Sequence, residues 1–299
     1  MTKPLIVLAS RQRCGTNALR AVIHTHPDIY CFEEVLNGDA HYLKENFSYF
    51  RFIRENYNVE EVHPSNHQKI FNDFVHHLHG LHDRPKTLID LKYNTMAHVG
   101  SNFISPTDWP LMAWLKAKGV PIIRLRRDNY LRIALSTEVA MQRDVWHDRT
   151  ENKGARFSGK INFDLFGRMK WMNRMKFFTY EDKIVDMLLN EYHSTLSLEY
   201  AELYPKVNQP ITAESLEKIA EFLGVENKFT TETWCAKSTK RPLWESISNW
   251  REVCDILGET EFAHFLEDEP MYRGTVEVAT KDRRKINFLT ADAMLRAVS

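Results

Sequence analysis

The sequence has no surplus charge of either sign and few cysteines, and each of these properties excludes a class of protein. It has 299 residues, with 40 Lys and Arg against 40 Asp and Glu, so its formal net charge is zero. Non-specific binding to nucleic acid requires a basic surplus, so we expect no nucleic-acid partner. The 4 cysteines form no Cys-x-x-Cys pair, which argues against a zinc module or a disulfide scaffold and is ordinary for a reducing compartment.

Long hydrophobic runs are also missing from the sequence. No stretch approaches the ~20 apolar residues that a membrane-spanning helix needs, and the apolar run at residues 5–9 is too short for the core of a signal peptide. We therefore predict a cytoplasmic protein without a membrane span. With 43% hydrophobic and 12% aromatic residues, the chain has the composition of a packed globule.

No internal repeat and no Pro/Gly-rich linker divides the chain. We therefore predict one domain over residues 1–299, with a more polar C-terminal tail from about residue 268. Four basic residues lie close together in that tail, which is typical of a solvated face: Lys281, Arg283, Arg284 and Lys285.

Short β-forming runs alternate with helical patterns along the chain. The predicted strands are residues 5–9, 87–91, 121–125 and 194–198. The predicted helices are residues 18–23, 70–78 and 110–118, a segment within 165–192, and a helix that Thr212 caps and Gly224 ends. Strands that alternate with helices form parallel sheets, so the pattern predicts an α/β fold.

The most informative segment is the loop 10–17, which follows the first strand and leads into a helix. A strand, a loop of small residues and a helix together direct backbone N–H groups and the positive end of a helix dipole at an anion. Arg13 adds a charge, and the Thr16 hydroxyl can donate to a phosphate oxygen. The loop lacks the Gly-Lys pair of a Walker A motif, which disfavours a nucleoside triphosphate with bound magnesium. The alternative is a polar turn with a solvent-facing arginine.

A second basic cluster, Arg124, Arg126 and Arg127, closes the third predicted strand, and Ser136 follows on a predicted helix. The carboxyl ends of parallel strands are where such folds bind ligands. Two basic strand ends at that edge predict one ligand with two separated anionic groups. The alternative is an arginine-rich helix start that surface carboxylates hold.

The 13 histidines raise the question of a metal site. Four of them lie on one helical pattern with no cysteine or carboxylate to complete a ligand set: His76, His77, His79 and His82. We expect a polar helix face there and no metal.

The loop 10–17 resembles the 5′-phosphosulfate loop of sulfotransferases that use 3′-phosphoadenosine 5′-phosphosulfate (PAPS), in the arginine-containing form of bacterial and carbohydrate members. Residues 23–35 (IHTHPDI…FEEV), 90–93 (DLKY), 127–136 and 240–250 are also similar to segments of that family, including lipopolysaccharide-type and nodulation-factor-type members. The resemblance implies a P-loop-like three-layer fold with a central parallel β-sheet flanked by helices. It further implies metal-free transfer of a sulfuryl group from PAPS to an acceptor hydroxyl or amine.

The resemblance also implies a role for each matching residue. Arg13 takes the catalytic basic position at the phosphosulfate, and Glu34 takes the position of the general base, for which Glu33 or a histidine remain alternatives. Lys92 and Tyr93 reach the acceptor or line the crevice. The cofactor-binding residues are then Arg11, Arg13, Cys14, Gly15, Thr16 and Asn17 at the 5′ end, Arg127 and Ser136 at the 3′-phosphate, and Lys240 and Arg241.

Three residues depart from the family pattern. Ala18 stands where many members have a tryptophan that stacks on adenine, so another side chain must cover that ring. Arg127 and Ser136 are one residue further apart than in many members, so Arg126 is an alternative ligand of the 3′-phosphate. Cys14 replaces the usual serine of the loop, and we expect it to be an inert small residue.

Other functions remain open at this stage. One is a kinase or nucleotidase of P-loop ancestry, and another is a nucleotide-binding module without turnover. The acceptor is either a saccharide hydroxyl or a small secondary metabolite such as an alkaloid. The sequence predicts no oligomeric state.

Overall fold

The computed structural model describes residues 3–100, 109–144, 157, 159–190, 192, 194–207, 211–231 and 240–272. The chain forms two compact units. The sheet unit comprises the described residues within Met1–Arg126, Tyr180–Leu198 and Ala213–Glu232, and the helical unit comprises those within Arg127–Thr179, Glu199–Thr212 and Thr233–Ser299. Across the described ranges, every helix is too short or too polar to cross a membrane.

A five-stranded parallel sheet forms the centre of the sheet unit. The strands are β1 (Leu5–Ser10), β2 (Ile29–Glu34), β3 (Lys86–Lys92), β4 (Ile122–Arg126) and β5 (Thr195–Glu199). Their order across the sheet is β2-β3-β1-β4-β5. β1 is therefore the central strand and is buried along its whole length, which explains its continuous apolar sequence.

The α-helices of the described residues are distributed over both units. They are α1 (Thr16–His24), α2 (Tyr49–Asn56), α3 (His67–Gly80), α4 (Tyr93–Met96), α5 (Pro110–Lys118), α6 (Tyr130–Arg143), α7 (Trp171–Asn190), α8 (Tyr200–Leu203), α9 (Ala213–Leu223), α10 (Leu243–Ser246) and α11 (Trp250–Gly258). Short 3₁₀ helices lie at Tyr42–Lys44, Pro64–Asn66, Ala97–Val99 and Ala263–Leu266.

The two faces of β1 bury different residues. Leu5, Val7 and Ala9 belong to a core cluster with apolar side chains of α2, α3 and α5. The alternate residues Ile6 and Leu8 are equally buried and point to the opposite face. α1 contacts β1 and β2.

The strand register determines which polar residues meet at the carboxyl edge of the sheet. Ser10, the last residue of β1, pairs with Lys92 of β3 on one side and with Leu125 of β4 on the other. On β2, a shift in register between Cys31 and Glu34 aligns Glu34 with Asp90 of β3. The loop after β1, the end of β3 and the end of β2 thus occupy one edge of the sheet unit.

The structure confirms the predicted α/β fold with a central parallel sheet flanked by helices, and it confirms the four predicted strands within a residue or two. The helix predicted within residues 165–192 is shorter, because α7 begins only at Trp171. Helix α5 ends at Gly119, as predicted, with the glycine in the left-handed conformation at φ 60°. β2 has no counterpart among the predicted strands.

Candidate functional site

The loop between β1 and α1 has an unusual backbone. Arg13 has φ 65° and Gly15 has φ 85°, so two left-handed residues flank Cys14. Glycine adopts this conformation without steric cost, whereas arginine does so only where the surroundings require it. Thr16 begins α1, whose first turn carries no acidic residue. The positive end of the α1 dipole therefore meets no neutralising carboxylate from its own first turn, as an anion site requires.

Lys92 lies below this loop and contacts it directly. Its ammonium donates to the Thr16 hydroxyl at 2.6 Å and to Asp90 Oδ1 at 2.7 Å, with a longer bond of 3.4 Å to Ser10 Oγ. The lysine side chain is only 2% exposed and the Asp90 side chain is fully enclosed. A buried lysine is tolerated because a buried carboxylate compensates its charge.

Glu34 forms an ion pair with the same ammonium. Its Oε1 is 3.7 Å from Lys92 Nζ, and its Oε2 accepts from Asn37 Nδ2 at 3.0 Å. Burial raises the pKa of the Glu34 carboxyl, Lys92 opposes this change, and the Asp90 carboxylate adds to it. A carboxyl group with a raised pKa is suited to accept a proton near neutral pH.

Glu33, the alternative base, has a different environment. Its side chain is 46% exposed and forms an ion pair with Arg20 at 3.1 Å. The Tyr42 hydroxyl also donates to it, at 3.4 Å. Glu33 is therefore a solvated ion-pair partner, whereas Glu34 is the enclosed carboxylate.

Arg11 is held by an acidic pair on α7. Its Nε donates to Glu181 at 2.8 Å, and its guanidinium lies 3.1 Å from Asp182. Burial raises the pKa of Glu181, and Arg11 opposes that change. These contacts join the Arg11 guanidinium to α7, and its predicted role at the cofactor stays a prediction.

Tyr93 and Arg124 extend this network. Arg124 Nε donates to the Tyr93 hydroxyl at 3.1 Å, and its Nη1 bonds to Asp186 of α7. Burial raises the pKa of the Tyr93 hydroxyl, and the Arg124 charge opposes the change. Tyr93 is buried, so its predicted contact with an acceptor stays a prediction.

The two neighbouring arginines at the end of β4 differ in their surroundings. Arg126 is half-buried and is the last residue of β4 in the sheet unit, one position after the residue that pairs with Ser10. Arg127 belongs to the helical unit and is buried there, where it donates to Glu269 from Nε at 2.6 Å and from Nη2 at 2.9 Å. Its guanidinium also lies 4.1 Å from the centre of the Tyr200 ring. Burial lowers the pKa of Arg127, but the charge and hydrogen bond of Glu269, together with Tyr200 and Tyr272, outweigh this effect and the pKa is raised.

The remaining residues predicted at the 3′-phosphate also lie in the helical unit. Arg132 Nε donates to Asp268 at 2.6 Å, and the Arg132 guanidinium donates to the backbone carbonyl of Arg241. Ser136 on α6 and Lys240 are half-buried. Asp268 and Glu269 are buried, although the polar tail was expected to begin there, and the basic cluster at residues 281–285 lies outside the described residues.

The other loop residues have local contacts. Cys14 is buried, and its Sγ lies 3.9 Å from the Gln12 carbonyl oxygen. Asn17 Oδ1 accepts from Arg20 at 3.2 Å. These contacts hold the loop and the first turn of α1 together.

Three acidic residues at this edge were not predicted from the sequence. Asp90 lies inside an apolar run, and Glu181 and Asp182 lie on a helix far along the chain from Arg11. A charged residue within an otherwise apolar strand was the available signal for Asp90, because such a residue is rarely buried without a partner.

Three of the four histidines considered as metal ligands lie on α3, and His82 follows that helix. Within the part of the chain that the structure describes, no three His, Cys, Asp or Glu residues come together as a metal site. His77 faces the Asn46 carbonyl oxygen at 2.8 Å. His82 stacks on Tyr30, with ring centres 4.6 Å apart.

Comparisons with known proteins give a weak likeness. No protein-family model and no curated protein matches the chain. A sulfotransferase from Alicyclobacillus acidocaldarius is similar at 10% identity, over 89% of this chain and 95% of that chain, with a TM-score of 0.43. Mouse sulfotransferase SULT7A1 complexed with PAP is similar at 15% identity, over 100% of this chain and 90% of that chain, with a TM-score of 0.40. Both TM-scores are below 0.5, so neither likeness assigns an activity to this chain.

Proposed function

We propose that this chain is a PAPS-dependent sulfotransferase that acts on a hydroxyl group of a saccharide or a small metabolite. The observation that carries the proposal is the arrangement around Lys92, which joins the first residue of α1 to an enclosed carboxylate. The first residue of a helix start suited to an anion and a candidate base thus both contact one ammonium. Transfer of an anionic group to a hydroxyl requires these two elements in that proximity.

The residues of the loop fit the 5′ end of the donor. Two left-handed residues and an α1 first turn without a carboxylate supply an electropositive helix start. PAPS, when bound, supplies a sulfuryl group that is activated by its bond to phosphate. Arg13 and Thr16 would bind the phosphosulfate oxygens, and Arg13 would stabilise the negative charge that develops as the S–O bond to phosphate breaks.

Glu34 would accept the proton of the acceptor hydroxyl as the oxygen of that hydroxyl forms its bond to sulfur. The electron pair of the broken S–O bond leaves with adenosine 3′,5′-bisphosphate, so charge and atoms balance. The enclosed position of Glu34 and its raised pKa support this assignment over Glu33.

Arg126 is our first candidate for the 3′-phosphate. It closes β4 next to the strand that carries the loop, whereas Arg127 already binds the Glu269 carboxylate through two nitrogens. Ser136 remains a candidate for the same phosphate, and Lys240 and Arg241 remain candidates for cofactor binding.

A thermal-shift titration with adenosine 3′,5′-bisphosphate, ATP, ADP and AMP tests donor binding. A ligand at 100 times its dissociation constant stabilises a protein by about 2.7 kcal/mol. We expect a shift with the bisphosphate, a smaller shift in Arg13→Ala and in Arg126→Ala, and an unchanged shift in Arg54→Ala, which removes an exposed arginine of α2. A shift with ATP alone would reject the proposal in favour of a kinase.

Transfer of labelled sulfate from PAPS to a panel of saccharides and small hydroxyl compounds tests turnover. Loss of one preorganised donor to a developing charge costs about 10²–10³ in kcat, so we expect a fall of that size in Arg13→Ala. Glu34→Gln should bind the bisphosphate like the wild type and lose turnover. Bisphosphate binding without transfer to any acceptor would instead support a binding module.

A further inference from the structure

Three charged side chains share the interior of the sheet unit at the carboxyl edge of the sheet. Asp90 and Lys92 are the buried members on β3, and Glu34 is the member on β2, with its side chain 12% exposed. The register places Glu34 and Asp90 opposite each other on neighbouring strands. Two carboxylates thus share a single ammonium.

We infer that Asp90 and Lys92 are positioning residues. Lys92, which Asp90 holds, orients the Thr16 hydroxyl and also affects the ionisation of Glu34. The inference rests on the proposed function for its biological meaning, because that function uses Thr16 at the donor and Glu34 at the acceptor. The physical linkage itself depends only on the contacts among these four side chains.

The three N–H groups of Lys92 determine the direction of the Thr16 hydroxyl. An ammonium only donates, so its 2.6 Å contact fills an acceptor position of the Thr16 oxygen. The hydroxyl proton of Thr16 must then point away from Lys92. Because Thr16 begins α1, its proton is available to an anion at the helix start, and Lys92 prepares it for that bond.

Asp90 holds Lys92 in place through one of its two carboxylate oxygens. Its Oδ1 accepts from Lys92, and its Oδ2 has no hydrogen-bond partner among the described residues. Arg20 Nε is likewise buried without a partner there. The negative charge of the buried Asp90 carboxylate therefore acts on Glu34.

The groups around Glu34 act in opposite directions. Burial raises its pKa, Lys92 lowers it, Asp90 raises it, and Asn37 and Arg20 lower it. Of these groups, Lys92 and Asp90 lie on β3 and Arg20 lies on α1. Glu33 of β2 and Tyr42 of the 3₁₀ helix Tyr42–Lys44 are also near Glu34. The Lys92 ammonium also contacts the hydroxyl of the loop residue Thr16.

Two substitutions should therefore move the Glu34 titration in opposite directions. Asp90→Asn keeps an oxygen that accepts from Lys92 but removes the negative charge, so the pKa of Glu34 should fall. Lys92→Met removes the positive charge, so the pKa of Glu34 should rise. A purely structural role for the two residues gives no reason for opposite signs.

The direct measurement is a pH titration of the Glu34 carboxyl carbon by NMR, on protein labelled with ¹³C at the glutamate carboxyl groups. The Glu34 signal is identified as the one missing from Glu34→Gln. We expect its midpoint to be lower in Asp90→Asn and higher in Lys92→Met than in the wild type. Equal midpoints in the three proteins, or shifts of the same sign, would overturn the inference.

A binding measurement tests the other half of the linkage. Adenosine 3′,5′-bisphosphate should bind about tenfold or more weakly to Lys92→Met, because the Thr16 proton loses its fixed direction. It should bind to Asp90→Asn within about twofold of the wild type. Equal affinity in Lys92→Met and the wild type would overturn this half.

The controls separate failure of the inference from failure of the proposed function. If the wild type binds no bisphosphate, the proposed function fails, and the NMR titration still decides the linkage. If Lys92→Met does not fold, Asp90→Asn together with Lys92→Arg decides it, because Lys92→Arg retains the charge and should leave the Glu34 midpoint near that of the wild type.

Discussion

Replacement of Arg127 by methionine should strongly destabilise the helical unit. The Arg127 guanidinium is enclosed, donates to Glu269 through two nitrogens at 2.6 and 2.9 Å, and lies over the Tyr200 ring. Both partners are only 7% exposed, so solvent does not screen the pair. Removing one member of a buried ion pair typically costs about 3–5 kcal/mol, because the other charge is left without compensation. We expect a loss in that range.

The matched variants are Glu269→Leu, which removes the Glu269 carboxylate from the guanidinium, and the double variant Arg127→Met/Glu269→Leu, which removes both charges. Each single variant should lower the free energy of unfolding by about 3–5 kcal/mol, while the double variant should lose much less than the sum. Urea denaturation followed by tryptophan fluorescence and by circular dichroism measures all four proteins.

Two results would refute this reasoning. One is a loss below about 1 kcal/mol in Arg127→Met, which is the range of solvated ion pairs. The other is a double variant whose loss equals the sum of the two single losses, since independent sites are additive. The outcome also decides whether Arg127 variants can report on ligand binding, because a protein that loses its fold loses its ligand for an unrelated reason.

Three further predictions concern other parts of the chain. Gly119→Ala should lower the free energy of unfolding by about 1 kcal/mol in urea denaturation. The cause is backbone strain alone, because Gly119 has φ +60° and open space around it. Gly258→Ala is the control and should show no such loss, because Gly258 has no positive φ. The free energy of unfolding should fall as the pH is lowered from about 6.5 toward 4. Burial lowers the pKa values of His79 and His82 to about 4, so in this pH range the two histidines bind protons in the unfolded chain and not in the folded one. Equal stability in urea titrations at pH 7 and pH 5 would contradict this. Arg84→Ala should lower the thermal midpoint more than Arg84→Lys, because Arg84 Nη1 donates to three backbone carbonyl oxygens; equal midpoints would contradict the assignment.

The interior of the sheet could be predicted from the sequence because its strands are continuous apolar runs. β1 is buried along its whole length, so nearly every residue had to be apolar, and its boundaries follow from composition. β2 was not predicted because it is an edge strand whose sequence IYCFEE ends in two carboxylates. Its register shift also breaks the alternation that would mark a strand.

The candidate site could be predicted only in its local part. The loop 10–17 was found because a strand, a small-residue loop and a helix are contiguous in the sequence. The acidic partners of the predicted basic residues were not found. Arg11 pairs with Glu181 and Arg127 pairs with Glu269, and long stretches of chain separate the members of each pair. Only the folded chain decides whether an arginine faces a ligand or a carboxylate of the same protein.

The central position of β1 has a consequence for how the protein is made. β1 leaves the ribosome before β3 and β4, the two strands with which it pairs. The pairing of Val7 is therefore complete only after Ile122 of β4 has been synthesised. At a synthesis rate of about 5–20 residues per second, this wait is on the order of ten seconds. During that time an apolar strand is exposed with unpaired backbone groups, which is the condition under which nascent chains aggregate. The strand order thus sets how long β1 stays exposed during synthesis, because β1 can complete its pairing only after β4 has been made.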